Sequence, residues 1–175
     1  MKNYKGTYEF TNCTLGSAGG NQGGNEGGNT GDTTPVNGTT YTFADYAKGE
    51  QYAENEEHKL DDNVKVITNG AHFTTQIRLY DSAPNDYNPN GLNGTATFIT
   101  TSAVKGLSIN AGNKAAELQV YGSTDGTNWT LITTLNTAES YADFTVELGT
   151  SAYTYIKLDA VGAQIRVASV TIELA

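Results

Sequence analysis

Between residues 63 and 175, apolar and polar positions alternate with the period of two that marks a half-buried strand. Leu118 and Val120 flank Gln119; Thr145 and Glu147 separate Phe144, Val146 and Leu148; Ile156 and Leu158 flank Lys157. Runs rich in β-branched and aromatic residues predict strands over 63–69, 72–80, 95–101, 104–110, 115–121, 128–135, 141–148, 153–159 and 164–174. Asn69-Gly70, Asn93-Gly94 and Asp125-Gly126 are turn dipeptides between them. Short strands recurring about every ten residues predict an all-β fold, an antiparallel two-sheet β-sandwich or jelly roll over 41–175. The stretch 45–62, with Glu50, Glu54, Glu56 and Glu57, reads as a polar excursion or a short helix.

The front of the chain has a different texture. Residues 19–30 repeat GGNx three times, and eight glycines fall between Gly16 and Gly31. Ordering such a stretch costs backbone entropy with no apolar side chain to bury in return, so 16–40 is expected to be a flexible linker. Residues 1–15 are too short to be a domain. Tyr4, Thr7, Tyr8, Phe10 and Thr11 give them strand character, either as the remnant of an upstream domain or as an edge strand of the sandwich.

Composition removes several function classes. The formal net charge is −9, from 19 acidic and 10 basic residues, without the basic cluster that binding to a phosphate backbone requires. Nucleic acid is therefore not an expected partner. No apolar run reaches the ~20 residues of a membrane helix, and a single cysteine supports neither a disulfide framework nor a cysteine zinc site. No apolar core follows Lys2 and Lys5 as it would in a secretory leader, so either a cytosolic protein or a piece of a longer one is expected. There are two histidines, His58 and His72, and no nucleophile motif; His72 reads as a surface or rim residue, and no catalytic residue is expected.

The two arginines carry the most information, because each stands in the tripeptide Gln-Ile-Arg. Strand alternation sends Ile77 and Leu79 to one face and Gln76, Arg78 and Tyr80 to the other; likewise Ile165 and Val167 oppose Gln164 and Arg166. If the two strands pair, two guanidiniums and two amides share a polar face, suited to a carboxylate and to sugar hydroxyls. Alternatively, each arginine pairs with an acidic side chain on a solvated sheet. The loop 81–91 supplies Asp81, Asp86 and Asn88 as candidate Ca²⁺ ligands, although the same residues are ordinary turn formers. Tyr80 and Tyr87 could stack on a sugar ring or pack over the sandwich edge. Tyr153, Tyr155 and Lys157 form a third candidate face, and Lys105 could add positive charge near an anionic ligand.

The segment Leu118-Gln119-Val120-Tyr121-Gly122-Ser123-Thr124-Asp125-Gly126-Thr127-Asn128-Trp129-Thr130-Leu131-Ile132 resembles the strand–S-x-D-G-x-x-W–strand hairpin of discoidin-like, galactose-binding-like β-sandwiches. Asp125-Gly126 turns the chain there, and Trp129 is expected to return and cap the core. Residues 155–172 look like the closing strands of the same class. The block 41–175 is also similar to C-terminal modules of secreted pectin-acting enzymes of gut Bacteroidetes, and 8–16 to the closing rung of their β-helix. The resemblance implies a monomeric, non-catalytic carbohydrate-binding module, secreted or at the cell surface, linked to an upstream catalytic domain. It also implies a uronate-containing polysaccharide as ligand, pectin or homogalacturonan first. The alternative is a structural spacer or protein-interaction sandwich, which should show salt-bridged arginines and buried tyrosines.

Overall fold

The computed structural model describes residues 35–81, 83, 84, 86, 89 and 91–175. The expected remnant at 1–15 and most of the expected linker lie outside them, as do Tyr87 and Asn88.

The described chain forms twelve strands: β1 (Thr39–Thr42), β2 (Glu56–Lys59), β3 (Val64–Asn69), β4 (Ala71–Phe73), β5 (Ile77–Leu79), β6 (Thr95–Thr100), β7 (Val104–Gly112), β8 (Ala116–Ser123), β9 (Thr130–Thr137), β10 (Ala142–Val146), β11 (Tyr155–Val161) and β12 (Ile165–Leu174). Every pairing between them is antiparallel. One six-stranded sheet, here sheet A, runs β10-β7-β12-β5-β4, with β1 also paired to β12; the other, sheet B, runs β2-β3-β6-β11-β8-β9. The fold is thus the expected all-β two-sheet sandwich.

Alternation builds the core. Ile77 and Leu79 of β5, Ile109 of β7 and Ile165 and Val167 of β12 are fully buried from sheet A; Val66, Phe98, Leu118, Ile156 and Leu158 meet them from sheet B. Phe73 is the aromatic centre. The Phe43 ring meets it edge-on at 5.4 Å, and the His58 ring stacks on it at 3.9 Å and 13°. Gly70, with φ of 59°, separates β3 from β4 and passes the chain from one sheet to the other.

Four sequence expectations are corrected. Residues 72–80 are not one strand: β4 and β5 form a tight hairpin in which Phe73 pairs with Ile77 across a turn at Thr74–Gln76. There the Thr74 hydroxyl donates to the Gln76 carbonyl at 2.8 Å, so Gln76 belongs to the turn rather than to the Arg78 strand. Pairing begins at Thr39, inside the stretch assigned to the linker, because β1 finds a partner in Ser169–Ile172. The polar stretch 45–62, expected as a polar excursion or a short helix, contains an edge strand, β2.

Candidate functional site

Two outward faces gather functional side chains, one on each sheet. On sheet A, β12 and β5 do pair, with Arg166 directly opposite Arg78, and β4 places His72 opposite Arg78 in turn. Gly112 of β7 lies on the other side of Arg166. Gly112, Arg166, Arg78 and His72 therefore form one row across four strands, at the close spacing of directly opposed residues.

This row gathers two guanidiniums and an imidazole, with the Tyr80 hydroxyl beside Arg78 and Glu56 acting on His72. Among the described residues no carboxylate lies within ion-pair distance of either guanidinium. Arg78 Nε, Arg166 Nε and His72 Nδ1 are all buried and make no hydrogen bond. Burial, and then the Arg78 charge, hold the His72 imidazolium below its ordinary pKa. Tyr80, just beyond β5, packs on Tyr52 with ring centres 4.3 Å apart and planes tilted by 35°, and accepts a hydrogen bond from Gln51 Nε2 at 3.2 Å. Burial, and then Tyr52, raise the Tyr80 phenol above its usual range, while Arg78 acts against them.

The other predicted residues fall differently. Gln164 precedes β12, and Asn113 Nδ2 bonds both its backbone carbonyl, at 3.2 Å, and its side-chain Oε1, at 3.4 Å. Lys105 does not join the row. It lies seven residues from Gly112 along β7, about 23 Å at the rise of a strand, near the end of β7 that pairs with Glu173 and Leu174. Among the described residues no group of three or more His, Cys, Asp or Glu side chains gathers as a metal site, Asp81 and Asp86 included.

The second face belongs to sheet B, where alternation turns Gln119 and Tyr121 of β8 and Tyr155, Lys157 and Asp159 of β11 away from the core. Lys157 pairs with Tyr121 and Asp159 with Gln119. The Lys157 ammonium lies 4.8 Å from the Tyr121 ring centre and 4.3 Å from that of Trp129, within cation–π range of both. Tyr155 meets Trp129 edge-on at 6.4 Å. The Tyr121 hydroxyl donates to Gln119 Oε1 at 2.6 Å, and Asn93 Nδ2 donates to Asp159 Oδ1 at 2.6 Å. Burial raises the Asp159 carboxyl above its usual range, against the pull of Asn93 and Lys157.

Trp129 therefore does not cap the core; it stands on the outside of sheet B. The turn before it explains why. Asp125 Oδ1 accepts the backbone N–H groups of Thr127 and Asn128, each at 2.8 Å, and Oδ2 accepts Asn128 Nδ2 at 2.7 Å. Those hydrogen bonds hold the Asp125 carboxyl far below the ordinary carboxylate range. Gly126, at φ of 74°, turns the chain toward Tyr155: a Cβ there would lie 3.0 Å from the Tyr155 ring. Of the third predicted face, Tyr155 and Lys157 are on this surface, whereas Tyr153 packs against the core and over Gly122.

No protein-family model matches this chain, and no curated protein does. Solved structures do match. A family 29 carbohydrate-binding module from Piromyces equi superposes with a TM-score of 0.52 at 10% identity, over 78% of this chain and 91% of that one. Two Clostridium perfringens modules align less closely. CpGH89CBM32-6 gives a TM-score of 0.44 at 18% identity, over 69% of this chain and 100% of that one. CpGH89CBM32-5, in complex with GalNAc-β-1,3-galactose, gives 0.41 at 23% identity, over 50% of this chain and 71% of that one. The chain thus shares its two-sheet β-sandwich fold with the family 29 module.

Proposed function

We propose that this protein is a non-catalytic carbohydrate-binding module that holds an attached polysaccharide-degrading enzyme, secreted or at the cell surface, on plant cell-wall polysaccharide. The preferred ligand carries uronates, pectin or homogalacturonan first, and its carboxylate binds at Arg78 and Arg166. One observation carries this reading: two guanidiniums face each other in register, with buried Nε atoms unbonded and no acidic partner among the described residues. A carboxylate would accept from the guanidiniums, and its charge would offset the repulsion between the arginines. A spacer would instead pair its arginines internally. The likeness of fold to carbohydrate-binding modules supports the general role.

Affinity electrophoresis tests it, through gels of polygalacturonate, methyl-esterified pectin, xylan and β-glucan, with Ca²⁺ or with chelator. Retardation is expected to be strongest in polygalacturonate and weaker in methylated pectin, where esterification removes the charge. Arg78→Ala and Arg166→Ala should each weaken it by about 10- to 100-fold, the worth of a charge-assisted hydrogen bond. Loss of retardation under chelation would support Ca²⁺ at the 81–91 loop as a further part of the proposal. Equal retardation of wild type and both variants removes the arginine site, and no retardation in any gel favours a spacer.

A further inference from the structure

The Trp129 face shares no residue with the arginine row and lies on the other sheet of the sandwich. From named geometry it has what a neutral pyranose needs. Tyr121 and Trp129 lie about the Lys157 ammonium, Tyr155 meets Trp129 edge-on, and the hydrogen-bonded turn at Asp125 fixes Trp129 in place. Leu131, opposite Tyr121, is 48% exposed and extends the apolar surface to the next strand. From β6 to β9 four adjacent strands span about 14 Å, enough for more than one sugar ring.

The polar groups there differ from those of sheet A. Lys157 is already engaged between two rings, and its neighbour on β11's outer side is Asp159, a carboxyl bonded to Asn93. A uronate would meet an acid there, whereas hydroxyls would find amide and carboxyl partners at Gln119, Asn93 and Asp159.

We propose that this face is a second binding site, for a neutral polysaccharide, and that the module bridges two chains at once. The outward faces of two stacked sheets point in opposite directions, so a single short oligosaccharide does not reach both. The bridging half rests on the uronate reading of the arginine row; the second site does not.

The test uses insoluble particles of β-glucan, xylan, mannan and galactan, together with fluorescent soluble polygalacturonate. Wild type is expected to be retained by at least one neutral particle and to carry polygalacturonate onto it. Trp129→Ala and Tyr155→Ala should weaken particle retention by about tenfold or more, the usual cost of losing an aromatic anchor, and leave polygalacturonate binding in solution intact. That solution binding, with a melting curve for each variant, separates loss of the face from loss of the fold. Arg166→Ala should stay on the particles and capture polygalacturonate about 10- to 100-fold more weakly. Failure of wild type to bind any neutral particle, or retention unchanged in both aromatic variants, overturns the second site. If soluble polygalacturonate instead displaces the protein from the particles, the two ligands share one site and the proposal fails. If polygalacturonate is not bound even without particles, the uronate reading falls and bridging falls with it, while Trp129-dependent retention still distinguishes the second site.

Discussion

Arg78 and Arg166 face each other across neighbouring strands, an arrangement that ordinarily costs stability because both guanidiniums stay charged. Replacing one with a neutral side chain of comparable length should therefore relieve the fold while weakening the proposed anion site. Arg166→Gln is expected to raise stability by up to ~1 kcal/mol in urea melts at low salt, with the gain shrinking at high salt, while polygalacturonate binding falls. A loss of stability would mean that the arginines are held by contacts rather than tolerated for a ligand. His72 adds a pH dependence. Its folded pKa is depressed, so the folded protein binds fewer protons than the unfolded chain. Its contribution to stability is then present above the unfolded value of about 6.5 and is lost as pH falls toward the folded value. Melts from pH 8 to 5 should show this decline in wild type and a flatter profile in His72→Gln. The same residue shows where sequence reading reached its limit. The arginine pairing was conditional on two strands meeting, whereas nothing local placed His72 beside them: its position depends on the hairpin.

Elements explain most of the remaining differences. In 72–80 the apolar positions Phe73, Ile77 and Leu79 are all odd, as a single strand would have them. A hairpin turning about Thr75 preserves that parity, because Phe73 and Ile77 become cross-strand partners on the same face. Periodicity cannot separate the two arrangements, and Thr74-Thr75-Gln76 contains no Gly, Pro, Asn or Asp to mark the turn. β2 was hidden for another reason: Glu56, Glu57, His58 and Lys59 contain no apolar residue, as suits a charged edge strand, and its inward anchor is the His58 ring on Phe73. For Trp129, the resemblance to the S-x-D-G-x-x-W hairpin suggested the core, but the Asp125 turn decides which way it faces. Its outward neighbours were legible from alternation in β8 and β11, once these strands were known to pair. The β8 element also gives a steric prediction. A Cβ on Gly122 would lie 2.7 Å from three atoms of the Tyr153 ring, too close without movement. Gly122→Ala should cost about 1–3 kcal/mol by displacing that ring from the core edge, read as a lower urea midpoint with an unchanged slope.

On the scale of the molecule, the sandwich divides its chemistry between its two outward surfaces. Sheet A presents two facing arginines with His72 beside them, and sheet B presents aromatic rings beside amides and a carboxyl. The core separates them, with Ile77, Leu79, Ile165 and Val167 directly behind the arginines and Val120, Ile156 and Leu158 behind the aromatic face. The formal charge of −9 does not favour an acidic ligand at long range. Recognition at the arginine row would therefore be a short-range matter, within a Debye length of ~8 Å in physiological salt. The pairing of β12 with β7 on one side, and with β5 and β1 on the other, also has a consequence in time. β12 is the last of the twelve strands to leave the ribosome, yet it is the centre of its sheet. Until it emerges, β7, β5 and β1 have no common partner, and their edges are open to any other strand that passes. The nascent module must therefore wait for its final strand before sheet A can form, which makes those few moments of synthesis the period in which a chaperone would matter most.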